Sequence, residues 1–437
     1  MKKLVSMLLA ASVLFSFATL ACAANDSTVP TVSEKDLLDA SAPVVEAYSK
    51  HYRVENVHVT DVTTAPNEDG GYVTQFFLHF DGTLKYDSAL SIPRVKGIAS
   101  SFGLSQSKSV DAFLTGMDAP AAKKALAPSV QKKMAAMNAS GAAKNAFGTA
   151  NTKAYNAVSD QVAEKVIASL KSFVSEIEEE YIGKSTEYTF DLQATLDAQG
   201  NVVKLSYGIV DGYSDDISVI IPESEAAMVK SGAQESSELA DAMLKDLAAH
   251  KSNGPAITTL SNPGFKYYRV VARDYANRYT SDAASVRCTN RNCSNYGNTI
   301  RKNPNLYNRN YTNYCCNDCA NYVSQAMKAG GVPTSTAWRP GSMAWINCAS
   351  MRQYFYTNTN YWTLTTYSNC NAGGVILMHN STRPYHAMMN VHNDGVSTKY
   401  SAHTNDRKAL PYTRQGLLNS GAKKIEYFIF DNVSPAH

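Results

Sequence analysis

Apolar and polar positions change period several times along this chain, and each change marks an element. Residues 54–59 and 72–80 are rich in β-branched and aromatic side chains and predict strands. Val158, Val162, Val166, Leu170, Phe173, Val174, Ile177 and Tyr181 recur at helical spacing, the stripe of an amphipathic helix. Residues 188–196 and 202–210 predict a hairpin through Ala198-Gln199-Gly200-Asn201, and residues 223–250 a further helix. Between 118 and 151 the composition turns to Ala, Lys, Met and Asn, which predicts a mobile helical or partly disordered stretch open to proteolysis. The Gly- and Pro-bearing run 253–264 reads as a linker.

Beyond the linker the pattern sharpens. Residues 317–331 predict a helix: Asn317 or Asp318 caps it, Tyr322, Val323, Ala326 and Met327 form its apolar stripe, and Gly330, Gly331 and Pro333 end it. The unbroken apolar run 375–378 predicts a buried strand, with His379 at its end. Residues 386–393 and 396–403 flank Asp394-Gly395, a strong hairpin signal. With those two as the turn, His386 stands opposite His403, their Cβ atoms about 4.5–5.5 Å apart. Ala387, Met389 and Val391 form the more apolar face and are expected to meet the core; His392, toward the tip, is expected in solvent.

This placement makes Cys319 the leading chemical candidate. A thiol in the first turn of a helix sits among unpaired N–H groups at the positive end of the dipole, which favours the thiolate and can later hold an oxyanion. Cysteine arithmetic points the same way. Lys2 and Lys3, the apolar run 4–20 and Ala21-Cys22-Ala23-Ala24 read as a secretory signal cleaved after Ala23. Cleavage before Cys22 would make a lipoprotein, but Thr19 stands where that signal carries leucine. Seven cysteines remain in an exported chain: Cys288, Cys293, Cys315, Cys316, Cys319, Cys348 and Cys370. Up to three bridges are expected among six of them, leaving Cys319 as the odd thiol. Zinc is the competing use of clustered cysteines, but no second tight Cys or His pair completes a ligand set, so no metal or cofactor is expected. His51, His58 and His79 also lack ligand spacing.

A cysteine nucleophile needs a base. His386 fills that role, with His403 across the hairpin orienting its imidazole and Asn390 or Asp406 as fallback orienters. Residues 265–431 then resemble the Putative amidase domain family, related in outline to the NlpC/P60 and CHAP groups of papain-like cysteine hydrolases. The matching residues are Tyr268-Arg269, Ala272, Tyr275-Ala276 and Tyr279, then Asp318-Cys319-Ala320-Asn321-Tyr322-Val323-Ser324-Gln325 with Gly330-Gly331, then the strand at His386 and Tyr400-Ser401-Ala402-His403-Thr404. Ala320 and Tyr322 replace the family's usual Thr and Phe, Gly373-Gly374 replaces a Gly-Asp pair, and the cysteine-rich insertion 287–316 is unusual for it. The resemblance implies a papain-like α+β fold, a helix bearing Cys319 packed on an antiparallel sheet that presents His386 and His403.

The expected organisation is a signal peptide (1–23), an α+β accessory region (24–252), the linker (253–264) and the papain-like domain (265–437). The accessory region could serve attachment, inhibition before release, or folding. With 41 Lys plus Arg against 38 acidic residues, no nucleic-acid partner is expected. No integral membrane span is expected after signal removal. All three tryptophans and seventeen of twenty-six tyrosines lie after residue 264. They suit a peptide or peptidoglycan-like amide substrate, though a small domain also fills its core with such rings. The expected function is a secreted or cell-surface cysteine amidohydrolase; the alternative is a surface or adhesion protein whose papain-like domain binds without turnover.

Overall fold

The computed structural model describes residues 29–118, 120, 152–210, 212–251, 265–282, 285–289, 291, 296–297, 299–314, 317–357 and 362–430. The expected signal segment, the stretch 121–150, the expected linker, Cys293, Cys315 and Cys316 lie outside them. The fold is α+β, with helices packed on antiparallel sheets.

The N-terminal unit opens with α1 (Glu34–Ser49), whose cap Ser33 accepts from the Asp36 N–H, and continues into β1 (Tyr52–Pro66) and β2 (Tyr72–Leu84). Helices α2 (Pro93–Ser101), α3 (Val110–Gly116) and α4 (Thr152–Glu176) follow, the last running into a π-helical turn at Ile177–Tyr181. Then come β3 (Ser185–Leu196), β4 (Val202–Ile209), β5 (Gly212–Ser214) and α5 (Glu225–Lys251). The five strands form a meander in sequence order, all pairs antiparallel. Its β3–β4 turn is the expected one: Asp197 accepts from the Gln199 and Asn201 amides, and Gly200 takes a φ of +87°. Phe76, Leu78, Phe80, Tyr188 and Phe190 on the sheet bury against Tyr48, Leu170 and Phe173 from the helices.

The C-terminal unit contains α6 (Arg269–Arg278), the small ribbon β6 (Ser285–Arg287) and β7 (Thr299–Arg301), and helices α7 (Cys319–Ala329), α8 (Met343–Ile346) and α9 (Cys348–Thr357). The remaining elements are β8 (Trp362–Thr365), β9 (Val375–His379), β10 (Pro384–Asn393), β11 (Thr398–Ala402), β12 (Arg407–Tyr412), α10 (Arg414–Asn419) and β13 (Lys424–Phe430). Six strands pair antiparallel in the order β12-β11-β10-β9-β13-β8. Val375, Leu377, Ala387, Met389 and Val391 meet α7 and all three tryptophans on one face, as expected for Ala387, Met389 and Val391. The opposite face is buried too. Ile376, Met378, Met388, Tyr400 and Tyr412 lie under Leu417 of α10 and Val210 of the N-terminal unit.

The β10–β11 hairpin departs from expectation. Asp394 to Ser397 form a four-residue loop, with the Asp394 carboxylate accepting from the Val396 and Ser397 amides. Met389 pairs with Ser401 and Asn393 with Thr398, so the register slips, with a bulge beyond Asn390, and His386 is not opposite His403. The tip is also buried rather than solvated. Val396 belongs to the N-terminal core, and Asp394 accepts from Tyr52 (2.7 Å), Tyr188 (3.2 Å) and His392 (3.0 Å). His392, expected in solvent, is therefore buried, because the other unit supplies its surroundings. Buried ion pairs Arg269–Glu176 (2.9 Å) and Arg301–Asp191 (2.8 Å) tie the same two units together. The N-terminal region is thus locked to the C-terminal unit across a closed polar and apolar interface.

Candidate active site

The motif around Cys319 folds into a helix buried on every side from Cys319 to Met327, so its polar residues need internal partners. They have them. Asn321 donates to the Thr312 carbonyl and accepts from the Trp345 indole (2.7 Å), Ser324 donates to the Trp345 carbonyl (2.9 Å), and Gln325 accepts from the Tyr275 hydroxyl (2.8 Å). The motif is therefore a set of braces that fix the helix against α6 and the tryptophan-bearing segment. Trp338 and Trp345 have no exposed surface and Trp362 almost none, so all three are core.

The helix tip is set by Asp318. It occupies the N-cap position, but its carboxylate does not cap; it turns back to accept from the Tyr314 N–H (2.9 Å), Asn321 Nδ2 (2.9 Å) and His403 Nδ1 (2.7 Å). The first intrahelical bond runs from the Tyr322 N–H to the Asp318 carbonyl, so the amides of Cys319, Ala320 and Asn321 precede the ladder and carry the dipole's positive end.

Cys319 Sγ sits against three groups. Beside it stand the His386 ring and the Ala387 N–H, both of which favour its charged form. That amide is available because β11 pairs with β10 only from Met389 onward, leaving the start of β10 open on that side. The third neighbour is Cys348, whose sulfur lies 3.6 Å away. The Cys319 thiol is held well below the ordinary range, first by its hydrogen bond with Cys348, then by His386 and the Ala387 amide, together outweighing burial. Cys348 moves the opposite way, pushed well up by its hydrogen bond with Cys319, then by burial and the charge on Cys319. The pair reads as a thiolate at Cys319 and a thiol donor at Cys348.

The structure thus brings Cys319 and His386 together and places His403 elsewhere. The His403 ring is stacked between Tyr307 (3.9 Å between centroids) and Tyr322 (4.1 Å). Its Nδ1 faces Asp318 and its Nε2 the Tyr279 carbonyl (2.6 Å), so both ring nitrogens are engaged and neither remains for His386. It braces the helix tip through Asp318. Asn390 donates to the Cys370 carbonyl and accepts from Tyr412, while Asp406 accepts from Tyr307 (2.7 Å) and the Asn303 amide, bracing the ring that covers His403.

Cys348 and Cys370, expected in bridges, are free thiols, as is Cys319. Cys370 is fully buried, and burial pushes its thiol up. Two residues escaped the sequence reading. Asp318 was visible only as a cap, although it directly precedes the cysteine. Cys348 counted only as a bridge candidate, yet Asn347 before it accepts from the Ser350 amide (3.0 Å), the same helix-start signature that marked Cys319.

Residues 266–430 match the family model described as Putative amidase domain. A stretch of 71 residues is 39% identical to the uncharacterized protein YjcM of Bacillus subtilis (strain 168), covering 16% of this chain and 17% of that protein. No solved structure matches. Among the described residues no helix is long and apolar enough to cross a membrane. By its sequence, the C-terminal part of the chain, residues 266–430, is similar to an amidase domain family.

Proposed function

We propose that the C-terminal unit is a cysteine amidohydrolase that cleaves an amide bond in a peptide or peptidoglycan-like substrate through an acyl-enzyme. The observation that supports it best is the lowered Cys319 thiol at a helix N-terminus, with the His386 ring beside it favouring the thiolate. The Cys319 thiolate attacks the carbonyl carbon, and the Cys319 N–H, free of an intrahelical partner, faces the developing oxyanion. His386 protonates the departing amine, then takes a proton from the water that releases the acid and regenerates the thiolate. Asp318 and His403 hold the helix tip in place. The apolar segment 4–20 and the small-residue site at Ala23 favour export, hence a wall or extracellular substrate.

The test uses purified full-length chain with peptide p-nitroanilides and isolated peptidoglycan. Cys319→Ala should abolish release of product and alkylation by iodoacetamide at that position. His386→Ala should slow alkylation at neutral pH and lower turnover by about 10²–10⁴-fold. Full turnover by Cys319→Ala would end the proposal.

A further inference from the structure

We propose that Cys319 and Cys348 together form a reversible dithiol–disulfide site that reacts with small aliphatic disulfides. The two sulfurs are 3.6 Å apart, already in contact, and 29 residues separate them in the chain. Each begins a helix, Cys319 in α7 and Cys348 in α9, so two positive helix ends converge on one sulfur pair and favour a thiolate there. Neither helix is loosely placed. Asp318 and His403 pin the first, and Arg352 of α9 pins the second through paired bonds to Glu426 (2.5 and 2.9 Å), a carboxylate that His379 also faces at 2.9 Å. A disulfide needs the sulfurs at about 2.05 Å, so a shift of about 1.5 Å closes the bond, within reach of side-chain torsion. Cys370 is no rival, since it lies in the separate core on the opposite face of the sheet.

The reaction balances as thiol–disulfide exchange. The Cys319 thiolate attacks one sulfur of the small disulfide, forming a mixed disulfide and releasing one thiolate, which takes up the proton that left Cys319. Cys348 then attacks Cys319 Sγ, and the proton it loses passes, directly or through solvent, to the second small thiolate as that sulfur leaves. The second small thiol departs and the Cys319–Cys348 bond remains. Two protein thiols are oxidised, and one disulfide is reduced to two thiols. Once bonded, Cys319 has no thiolate to offer, so the amidohydrolase would be silent until reduced; this consequence rests on the function proposed above, while the exchange itself does not.

The experiment takes full-length reduced protein, exposes it to oxidised glutathione, blocks remaining thiols with N-ethylmaleimide, and maps the peptides by mass. The expected result is a peptide pair joined through Cys319 and Cys348, no glutathione retained on Cys319, and loss of iodoacetamide labelling at Cys319 that dithiothreitol restores. Cys348→Ser and Cys348→Ala should each trap glutathione on Cys319. Retention of glutathione on Cys319 in the unsubstituted protein would overturn the proposal. So would a bond from Cys319 to Cys315 or Cys316, or unchanged labelling after oxidation. Because every readout is thiol chemistry, a cross-linked protein that hydrolyses no amide when reduced would sink only the hydrolase reading.

Discussion

The pairing of Asp318 with His403 can be tested by a double-mutant cycle. Asp318→Asn keeps an oxygen for the Tyr314 amide and Asn321 Nδ2 but removes the negative charge 2.7 Å from His403 Nδ1. His403→Phe keeps a ring between Tyr307 and Tyr322 but removes both donors, stranding the Asp318 carboxylate and the Tyr279 carbonyl. Both side chains are almost wholly buried, at 2% and 1% exposure, so water cannot replace the lost partner. Breaking a buried pair by removing one member costs about 3–5 kcal/mol. Each single variant should lose stability in that range, and the double variant about 2–3 kcal/mol less than their sum, because both single changes break the same contact. Urea unfolding read by tryptophan fluorescence measures this well, since the Trp345 indole bonds to Asn321 in the same motif. The rate of Cys319 alkylation should also fall, on the order of tenfold, as the helix tip loses its anchor. A coupling energy below about 0.5 kcal/mol would refute the reasoning, since that is the additivity expected of independent sites.

Two further outcomes follow from the buried hairpin tip. Gly395 has a φ of +82° and a Cβ there would lie 3.1 Å from Ile177 and 3.2 Å from Ile92, whereas Gly421 has a φ of +102° with open space around it. Gly395→Ala should therefore cost about 1 kcal/mol more than the 1–2 kcal/mol of backbone strain alone seen in Gly421→Ala, and equal losses would mean the tip is not packed in the N-terminal core. At Asp394 burial pushes the carboxyl up, but His392, the Ser397 amide and Tyr52 outweigh it and bring it to about 2. A depressed carboxyl contributes stability that is present above the ordinary aspartate range and lost as pH falls through its folded value, here about 2.5 kcal/mol in full and about 1 kcal/mol by about pH 3. Urea titrations at about pH 5 and about pH 3 should thus show a fall shallower by about 1 kcal/mol in Asp394→Asn than in the parent chain; parallel falls would remove Asp394 from the account.

Local pattern alone carried much of this protein. The stripe from Val162 to Tyr181, the hairpin closed at Gly200, the apolar run at Val375 and the helix begun at Cys319 all formed as predicted, because periodicity, caps and turn residues act within a few positions of chain. Cys319 and His386 were also legible as candidates, each from its place in its own element. The partners were not. Hairpin register depended on the tip of that hairpin entering another unit's core, where Tyr52, Tyr188 and Arg94 hold a four-residue loop in place of a two-residue turn. That shift separated His403 from His386 and gave it to Asp318, and packing of α9 beside α7 set Cys348 against Cys319. Contacts between residues far apart in the chain depend on how whole surfaces fit, and no short stretch of sequence encodes that fit.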